Sequence, residues 1–315
     1  MPRVKKPLSK PSVLAILGTT SAGKTALAVS LARQYNGEII SADSRQVYRG
    51  LDVGTGKDLA EYQVGGKRVR HHLIDVADPK RQFNLARYQA AAVKAIKDVI
   101  KRGKLPIVVG GSGLYLQALV DNYSLVKARV DLKQRLIWSK LEATTLYQEL
   151  SRLKPEFAAR LNKSDAGNAR RLRRYLEIAA NGEDLGSKQE SPFVWLILGL
   201  RVKEQELKKR IRERLLHRLQ KEDLVAEVEG LHQAGLSWLR LDSFGLEYRF
   251  VSRYLQGQLS YPVMVERLDS ALWRFAKRQL SWFRRWEKQG AKISWVKDLA
   301  SAQKKIDHWQ KKALK

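Results

Sequence analysis

Eight residues near the start of the chain, Gly18-Thr19-Thr20-Ser21-Ala22-Gly23-Lys24-Thr25, have the types and spacing to hold phosphate. They fit G-x-x-x-x-G-K-[ST] at every position, between a predicted strand and a predicted helix. Glycines let the backbone curl so that successive N–H groups point inward, and the helix start adds positive potential. Lys24 neutralises phosphate charge, and the Thr25 hydroxyl is placed to ligate a Mg²⁺ that the phosphates carry. The motif names a diphosphate or triphosphate ligand and no reaction: NTPase, small-molecule kinase and diphosphate-using transferase all remain open. NTPases place an Asp at the end of a second apolar strand to hold the Mg²⁺ shell. Here the strand through Ile107-Val108-Val109 ends in Gly110-Gly111-Ser112-Gly113, with no acid, which weighs against a motor or a GTPase.

The next chemical candidate is Asp43, in Ile39-Ile40-Ser41-Ala42-Asp43-Ser44-Arg45-Gln46, just beyond a second strand. In a parallel sheet the carboxyl ends of neighbouring strands meet at one crevice, so Asp43 should face the phosphate loop. A carboxylate there can take a proton from an attacking nucleophile. An ordinary turn or helix cap explains the same residue equally well. Gln46 and Ser112 are polar groups at the same rim. His71 and His72 have no partner at ligand spacing and read as structural. Basic residues form two clusters. Arg170, Arg171, Arg173 and Arg174 share a helical turn, while Arg274, Lys277, Arg278, Arg284 and Arg285 interleave with Trp273, Trp282, Phe283 and Trp286. Guanidinium and aromatic planes suit phosphates and unpaired bases, although solvated helix faces and core tryptophans give the same pattern.

These side chains need elements to position them. Short apolar runs at Val13–Leu17, Glu38–Ser41, His72–Val76 and Leu105–Gly110 alternate with helical periods, such as Leu85, Tyr88, Ala92, Ile96 and Val99 within Phe83–Arg102. That alternation predicts an α/β fold with a parallel sheet and helices on both faces. From Lys127 to about Glu190 only helical patterns occur, and Phe193–Leu200 reads as a strand returning to the sheet. The expected division is a catalytic core of 1–126 and 191–315 with C-terminal helices, and a helical insertion of 127–190. One face of the next helix is marked by Leu207, Ile211, Leu215, Leu219 and Leu224, and Val263–Lys288 forms another helix.

Composition narrows the classes. With 60 Lys and Arg against 32 Asp and Glu, the chain carries a formal charge of +28, which predicts a polyanionic partner, most simply nucleic acid. The absence of cysteine removes disulfides, thiolate nucleophiles and zinc fingers, and fits a reducing compartment. The longest uncharged apolar run, Phe193–Leu200, is far below the roughly 20 residues of a membrane-spanning helix. The basic start runs into too short an apolar stretch for a signal peptide.

In this order the segments resemble the tRNA dimethylallyltransferase (tRNA isopentenyltransferase) family. The resemblance lies in GTTSAGKT (Gly18–Thr25), SADSRQVYRGLDVGTGK (Ser41–Lys57), HHLIDVADP (His71–Pro79), VVGGSGLYLQAL (Val108–Leu119), NARRLRRYLEI (Asn168–Ile178) and AKRQLSWFRRW (Ala276–Trp286). It implies transfer of a dimethylallyl group from dimethylallyl diphosphate to N6 of an adenosine just 3′ of the tRNA anticodon. The diphosphate would sit in the phosphate loop, with Lys24, Thr25 and Mg²⁺ stabilising it as it leaves and Arg210 and Arg214 as added cations. Asp43 would take the N6 proton. Asp43, Ser44, Arg45, Gln46, Ser112, Lys133 and Arg170-Arg171-Leu172-Arg173-Arg174 match the family's tRNA-contacting positions, and Lys277 and Arg278 join them from the basic C-terminal cluster. The partners implied are the anticodon stem-loop and the prenyl diphosphate, met by a cytoplasmic monomer. An ATP-dependent small-molecule kinase on the same core is the competing reading. The chain departs from the family pattern with Ser112 for Thr and Lys133 for Arg. It also has Gly245-Leu246-Glu247-Tyr248 for Gly-Tyr-Lys/Arg-Glu, and Leu272-Trp273 for Thr-Arg. The last two changes bear on tRNA choice more than on the diphosphate.

Overall fold

The computed structural model describes residues 10–125, 131–182 and 188–313. The chain begins with β1 (Ser12–Leu17), α1 (Lys24–Gln34) and β2 (Gly37–Ser41). A 3-10 turn at Leu59–Tyr62 leads into a short antiparallel hairpin, β3 (Gln63–Val64) and β4 (Lys67–Arg68), and then β5 (His71–His72). Next come α2 (Leu85–Lys101), β6 (Leu105–Gly110) and α3 (Gly113–Val120). Among the described residues five helices follow without a strand: α4 (Leu132–Ser139), α5 (Ala143–Leu153), α6 (Pro155–Ala159), α7 (Lys163–Ala166) and α8 (Ala169–Ala180). After β7 (Val194–Leu200) run α9 (Glu204–Gln220), α10 (Leu224–Gln233), α11 (Trp238–Asp242), α12 (Leu246–Leu255), α13 (Tyr261–Lys288), β8 (Ile293–Val296) and α14 (Leu299–Ala313).

Six strands form one parallel sheet in the order β5-β2-β6-β1-β7-β8. The alternation of β1 explains the layering. Val13, Ala15 and Leu17 face Tyr88, Ala92 and Ile96 of α2 with Phe283 and Trp286 of α13. Leu14 and Ile16 face Leu27, Ala28 and Leu31 of α1 with Ala302 and Ile306 of α14. A strand buried on both faces must be apolar throughout, which is why these runs read as continuous in the sequence. Each fully buried Leu or Ile contributes roughly 1.5–3 kcal/mol over an exposed one. A third cluster packs Leu207, Ile211 and Leu215 of α9 against Phe244, Tyr248 and Leu268 from α11–α13 and the loop after β2. Contacts divide the chain into two compact units, one reaching Val120 and resuming at Ser191, the other Asp121–Glu190. The second unit has its own core, in which Leu146 and Leu150 of α5 meet Leu172 and Leu176 of α8. The boundary expected at 126/127 lies outside the described residues.

Two expected elements end early. The strand expected over His72–Val76 pairs with β2 only at His71 and His72, because Leu73 and Asp75 take positive φ of 63° and 58°. Asp75 is turned aside to pair with the buried Lys57 ammonium, while its N–H donates to the Gln46 carbonyl. The leucine face expected to run to Leu224 is cut after Gln220. Asp223, at φ 54°, caps the separate helix α10 by accepting from the Ala226 N–H.

Candidate active site

The site is assembled where β1, β2 and β6 end together. Register places Leu17 beside Gly110, and Ser41 beside Val109. A Cβ on Gly110 would overlap the Ala42 carbonyl, so only glycine allows the two strand ends to close this tightly. Asp43 then enters a turn in which its Oδ1 accepts from the Arg45 N–H (2.8 Å) and the Gln46 N–H (3.4 Å). The turn reading and the base reading therefore coexist: one oxygen holds the loop, and Oδ2 takes no part in that turn. The Ser112 hydroxyl accepts from the Ser44 N–H at 3.2 Å and ties the β6 loop to the β2 loop. Gln46 accepts from the Ser41 hydroxyl and donates to the Gly56 carbonyl, both at 2.9 Å, so its amide shapes the loop rather than projecting from it. Asp43, Ser44, Gln46 and Ser112 thus come together, and Asp43 lies close enough for its charge to act on Lys24.

The phosphate loop curls as expected. Lys24 Nζ donates to the Thr19 carbonyl at 2.6 Å, and α1 starts at Lys24. Burial, followed by the neighbouring Arg214 charge, lowers the Lys24 pKa to about 8. A cavity of about 450 Å³ opens beside it, lined by Ser21, Gly23, Lys24, Thr25 and Arg214 among others. Arg214 is half-buried and pairs with Asp58. Arg210 reaches the same cavity but is exposed and paired with Glu206 at 2.7 Å, so it stands at the rim.

Several residues here escaped sequence reasoning. Gln279 of α13 is buried, accepts from the Thr20 N–H at 2.8 Å and donates to the Gly111 carbonyl at 2.9 Å. One loop N–H expected to face phosphate is therefore held from behind. Gln279 stands on the core face with Ala276, Phe283 and Trp286, so a polar residue at an apolar step was the available signal. Glu227 of α10 accepts from the N–H groups of Asp52, Val53 and Gly54 and from the Tyr248 hydroxyl, clamping the loop after β2. The departure at Gly245–Tyr248 thus places Tyr248 in that clamp. Arg218 of α9 is buried, with Glu247 beside it at 3.6 Å.

The basic candidates divide. On α13, Lys277 and Arg278 are exposed and lie over Trp273 and Phe275, while Arg285 lies over Trp282 at 4.5 Å. Trp286 is core, as is Leu272. In the second unit Lys133, Arg170, Arg171 and Arg174 are exposed. Arg171 pairs with Asp165, and Arg174 with Glu177. Arg173 donates to the Trp138 and Ser139 carbonyls, both at 3.0 Å, and caps the end of α4. Leu172 is fully buried in the unit's core, so its side chain offers nothing to a surface ligand. His72 Nε2 meets Glu38 Oε2 at 2.7 Å. Among the described residues no group of three or more His, Cys, Asp or Glu could hold a metal, and no helix is long and apolar enough to cross a membrane.

The chain is similar to known proteins over most of its length. The family model described as IPP transferase matches residues 46–286. The chain is 45% identical over 290 residues to tRNA dimethylallyltransferase 1 of Syntrophus aciditrophicus, covering 90% of this chain and 93% of that protein. It is 43% identical over 295 residues to tRNA dimethylallyltransferase 2 of Treponema denticola, covering 91% and 96%. Its fold is similar to the crystal structure of the full-length tRNA isopentenylpyrophosphate transferase from Bacillus halodurans, with TM-score 0.69, 32% identity and 97% of each chain covered. It is also similar in fold to a eukaryotic dimethylallyltransferase captured acting on tRNA, with TM-score 0.70 and 24% identity over 92% of this chain and 75% of that one.

Proposed function

The chain belongs to the IPP transferase family, and from that premise we infer that it transfers a dimethylallyl group from dimethylallyl diphosphate to N6 of an adenosine beside the tRNA anticodon. The observation that carries this reading is one crevice holding both a phosphate loop and the carboxylate of Asp43, with Gly110-Gly111-Ser112 where an NTPase would have its second acid. The N6 nitrogen forms a bond to the allylic carbon as the bond from that carbon to the diphosphate oxygen breaks. The oxygen keeps the electron pair, and the N6 proton passes to Asp43. Lys24 and Arg214 hold the growing negative charge on the leaving group. Thr25 shares the cavity with Asp58 and Glu61, an all-oxygen set that suits Mg²⁺ bound mainly through substrate phosphates. When bound, the ion adds charge neutralisation to the departing diphosphate.

For the RNA, a target adenosine must leave its stack to reach Asp43. Ser44, Arg45, Ser112, Lys277 and Arg278 in the first unit, and Lys133 with Arg170, Arg171 and Arg174 in the second, supply polar and cationic contacts to it. The same reading takes the protein to act as a monomer in the cytoplasm, where tRNA is met. The direct test incubates the protein with unmodified tRNA and labelled dimethylallyl diphosphate. Label should enter RNA, and Asp43→Ala should lower that rate about 10²–10⁴-fold while tRNA affinity stays nearly unchanged. ATP hydrolysis without label transfer would move the assignment to the kinase reading.

A further inference from the structure

Arg218 is the one buried cation of α9, and its surroundings are unusual for a buried charge. Its relative exposure is 6%, yet Nε and Nη2 have no hydrogen-bond partner among the described residues. Its nearest anion, Glu247, stands at 3.6 Å from Nη1, which is longer than a hydrogen bond. A second cation crowds it. A Cβ on Gly56, which has φ 61°, would collide with both the Arg218 and the Arg214 guanidinium, so the two ends meet over the same point of backbone. Glycine at 56 is what lets them do so. Buried charges in native folds are normally paired and hydrogen-bonded. Here one carboxylate is shared loosely, and two N–H-bearing atoms point to no acceptor.

They do border a space. A gap of about 10 Å³, room for roughly one water or one oxygen atom, is lined by Thr20, Ser21, Arg214, Arg218 and Glu247, with apolar walls from α9 and Leu272. Ser21 and Arg214 also line the larger cavity beside Lys24 and Thr25. The small gap is therefore an annex of the phosphate cavity. Its donors are cationic, and its only anion already faces Arg218. Burial followed by the Arg214 charge pulls the Arg218 pKa down, the expected response of a cation that lacks its counterion.

We propose that Arg218 is an additional phosphate-binding cation of the donor site, receiving one terminal oxygen of the diphosphate in the gap beside Thr20 and Ser21, with Glu247 as the positioning residue that holds its guanidinium there. This rests on the diphosphate reading above and extends it to two residues that the phosphate motif does not contain. It also gives a physical reason for Glu247 within the Gly245–Tyr248 departure: a carboxylate near a diphosphate is tolerable only when a buried cation stands between them. No bond is made or broken at Arg218, whose N–H groups exchange a loose contact with Glu247 for charge-assisted hydrogen bonds to oxygen.

The test uses the full-length protein and inorganic pyrophosphate with Mg²⁺ as the probe, read by titration calorimetry and by the rise in melting temperature that the probe causes in each variant. Arg218→Met should weaken pyrophosphate binding about tenfold to a hundredfold, as expected for lost charge-assisted hydrogen bonds. The KM for dimethylallyl diphosphate should rise in parallel, and tRNA affinity should stay within twofold. Arg218→Lys, which keeps the charge and most of the stem, should fall between parent and Met. Glu247→Gln should weaken the probe threefold or more by freeing the guanidinium. A change below threefold in Arg218→Met overturns the proposal. If that variant does not fold, Arg218→Lys decides by the same threshold, since a merely structural role would lower the starting melting temperature and leave the probe-induced rise intact. Failure of the prenyl reading looks different: the parent would bind pyrophosphate and lose it on Arg218→Met, yet put no label into tRNA.

Discussion

Helices α8 and α9 both carry arginines at a four-residue step, Arg170 and Arg174 on one and Arg214 and Arg218 on the other, and they end in opposite circumstances. On α9, Arg218 is buried and Arg214 half-buried beside the phosphate loop, where solvent screens them less than at the surface. On α8, Arg170, Arg171 and Arg174 remain exposed, and Arg173 is committed to the carbonyl end of α4. The same residue type therefore stands in three settings: beside a phosphate-loop cavity, on open surface and at a helix end. Burial, more than number, decides which. A buried guanidinium beside a fixed loop is suited to a small, dense anion. An exposed row is suited to a polymer whose counterions can be released.

The contrast can be broken most strongly at the phosphate loop. Lys24→Met should lower transfer by about 10²–10³-fold, the usual cost of removing one charge-stabilising donor, and steady-state kinetics with saturating tRNA would show it. Lys24 also sets a pH signature. Its pKa is about 8 in the fold against the ordinary 10.5. Above pH 8 pyrophosphate binding must therefore take up a proton, and affinity should fall by up to about tenfold per pH unit. Over the same window, pH 8 to 10.5, the unfolded chain holds more protons than the folded one. Stability of the protein alone should thus rise as affinity falls, and Lys24→Met should flatten both trends.

A smaller effect is expected where α13 meets the loop. Gln279→Leu leaves the Thr20 N–H and the Gly111 carbonyl without partners, and each such loss costs about 1–3 kcal/mol. The prediction is a roughly tenfold rise in donor KM, with Gln279→Glu restoring the contact to Thr20 alone. Smallest of all should be the α8 surface. Arg170→Ala should weaken tRNA binding a few-fold and reduce the salt dependence of log K by about one unit or less. Arg173→Ala should instead leave the salt slope unchanged and destabilise the second unit by about 1–2 kcal/mol, measured by thermal unfolding. Equal salt slopes for the two variants would erase the distinction drawn between them.

What could be read before folding was whatever the chain keeps local. Gly18–Thr25 is a contiguous loop, and Asp43 follows its strand by two residues, so spacing alone placed both at one sheet edge. Apolar runs announced β1, β6 and β7 because strands buried on two faces leave no choice of residue. The bridges could not be read this way. Gln279 meets Thr20 across 259 positions, and Glu227 meets Val53 across 174. Nothing in either neighbourhood states the pairing, apart from a polar residue on an apolar helix face. The β5 strand is shorter than the strand-like composition of His72–Val76 implies, because a buried ion pair from Lys57 to Asp75 bends the chain away. Leu172 sat inside a basic run and took its meaning from its neighbours, although the helical period points it to the core.

The position of β1 in the sheet has a consequence for synthesis. β1 is the first strand among the described residues, yet its two neighbours are β6, which ends at Gly110, and β7, which begins at Val194. A chain emerging at roughly 5–20 residues per second spends several seconds to more than ten making the stretch between them. Throughout that interval β1 can be paired on one side only. Its other edge is a row of apolar residues and unmatched backbone groups, the kind of edge that recruits other chains. Of the helices α3–α8 made in between, α4–α8 belong to the second unit and gather on its separate core, so the order of translation leaves the nascent enzyme most exposed while its central strand waits for β7.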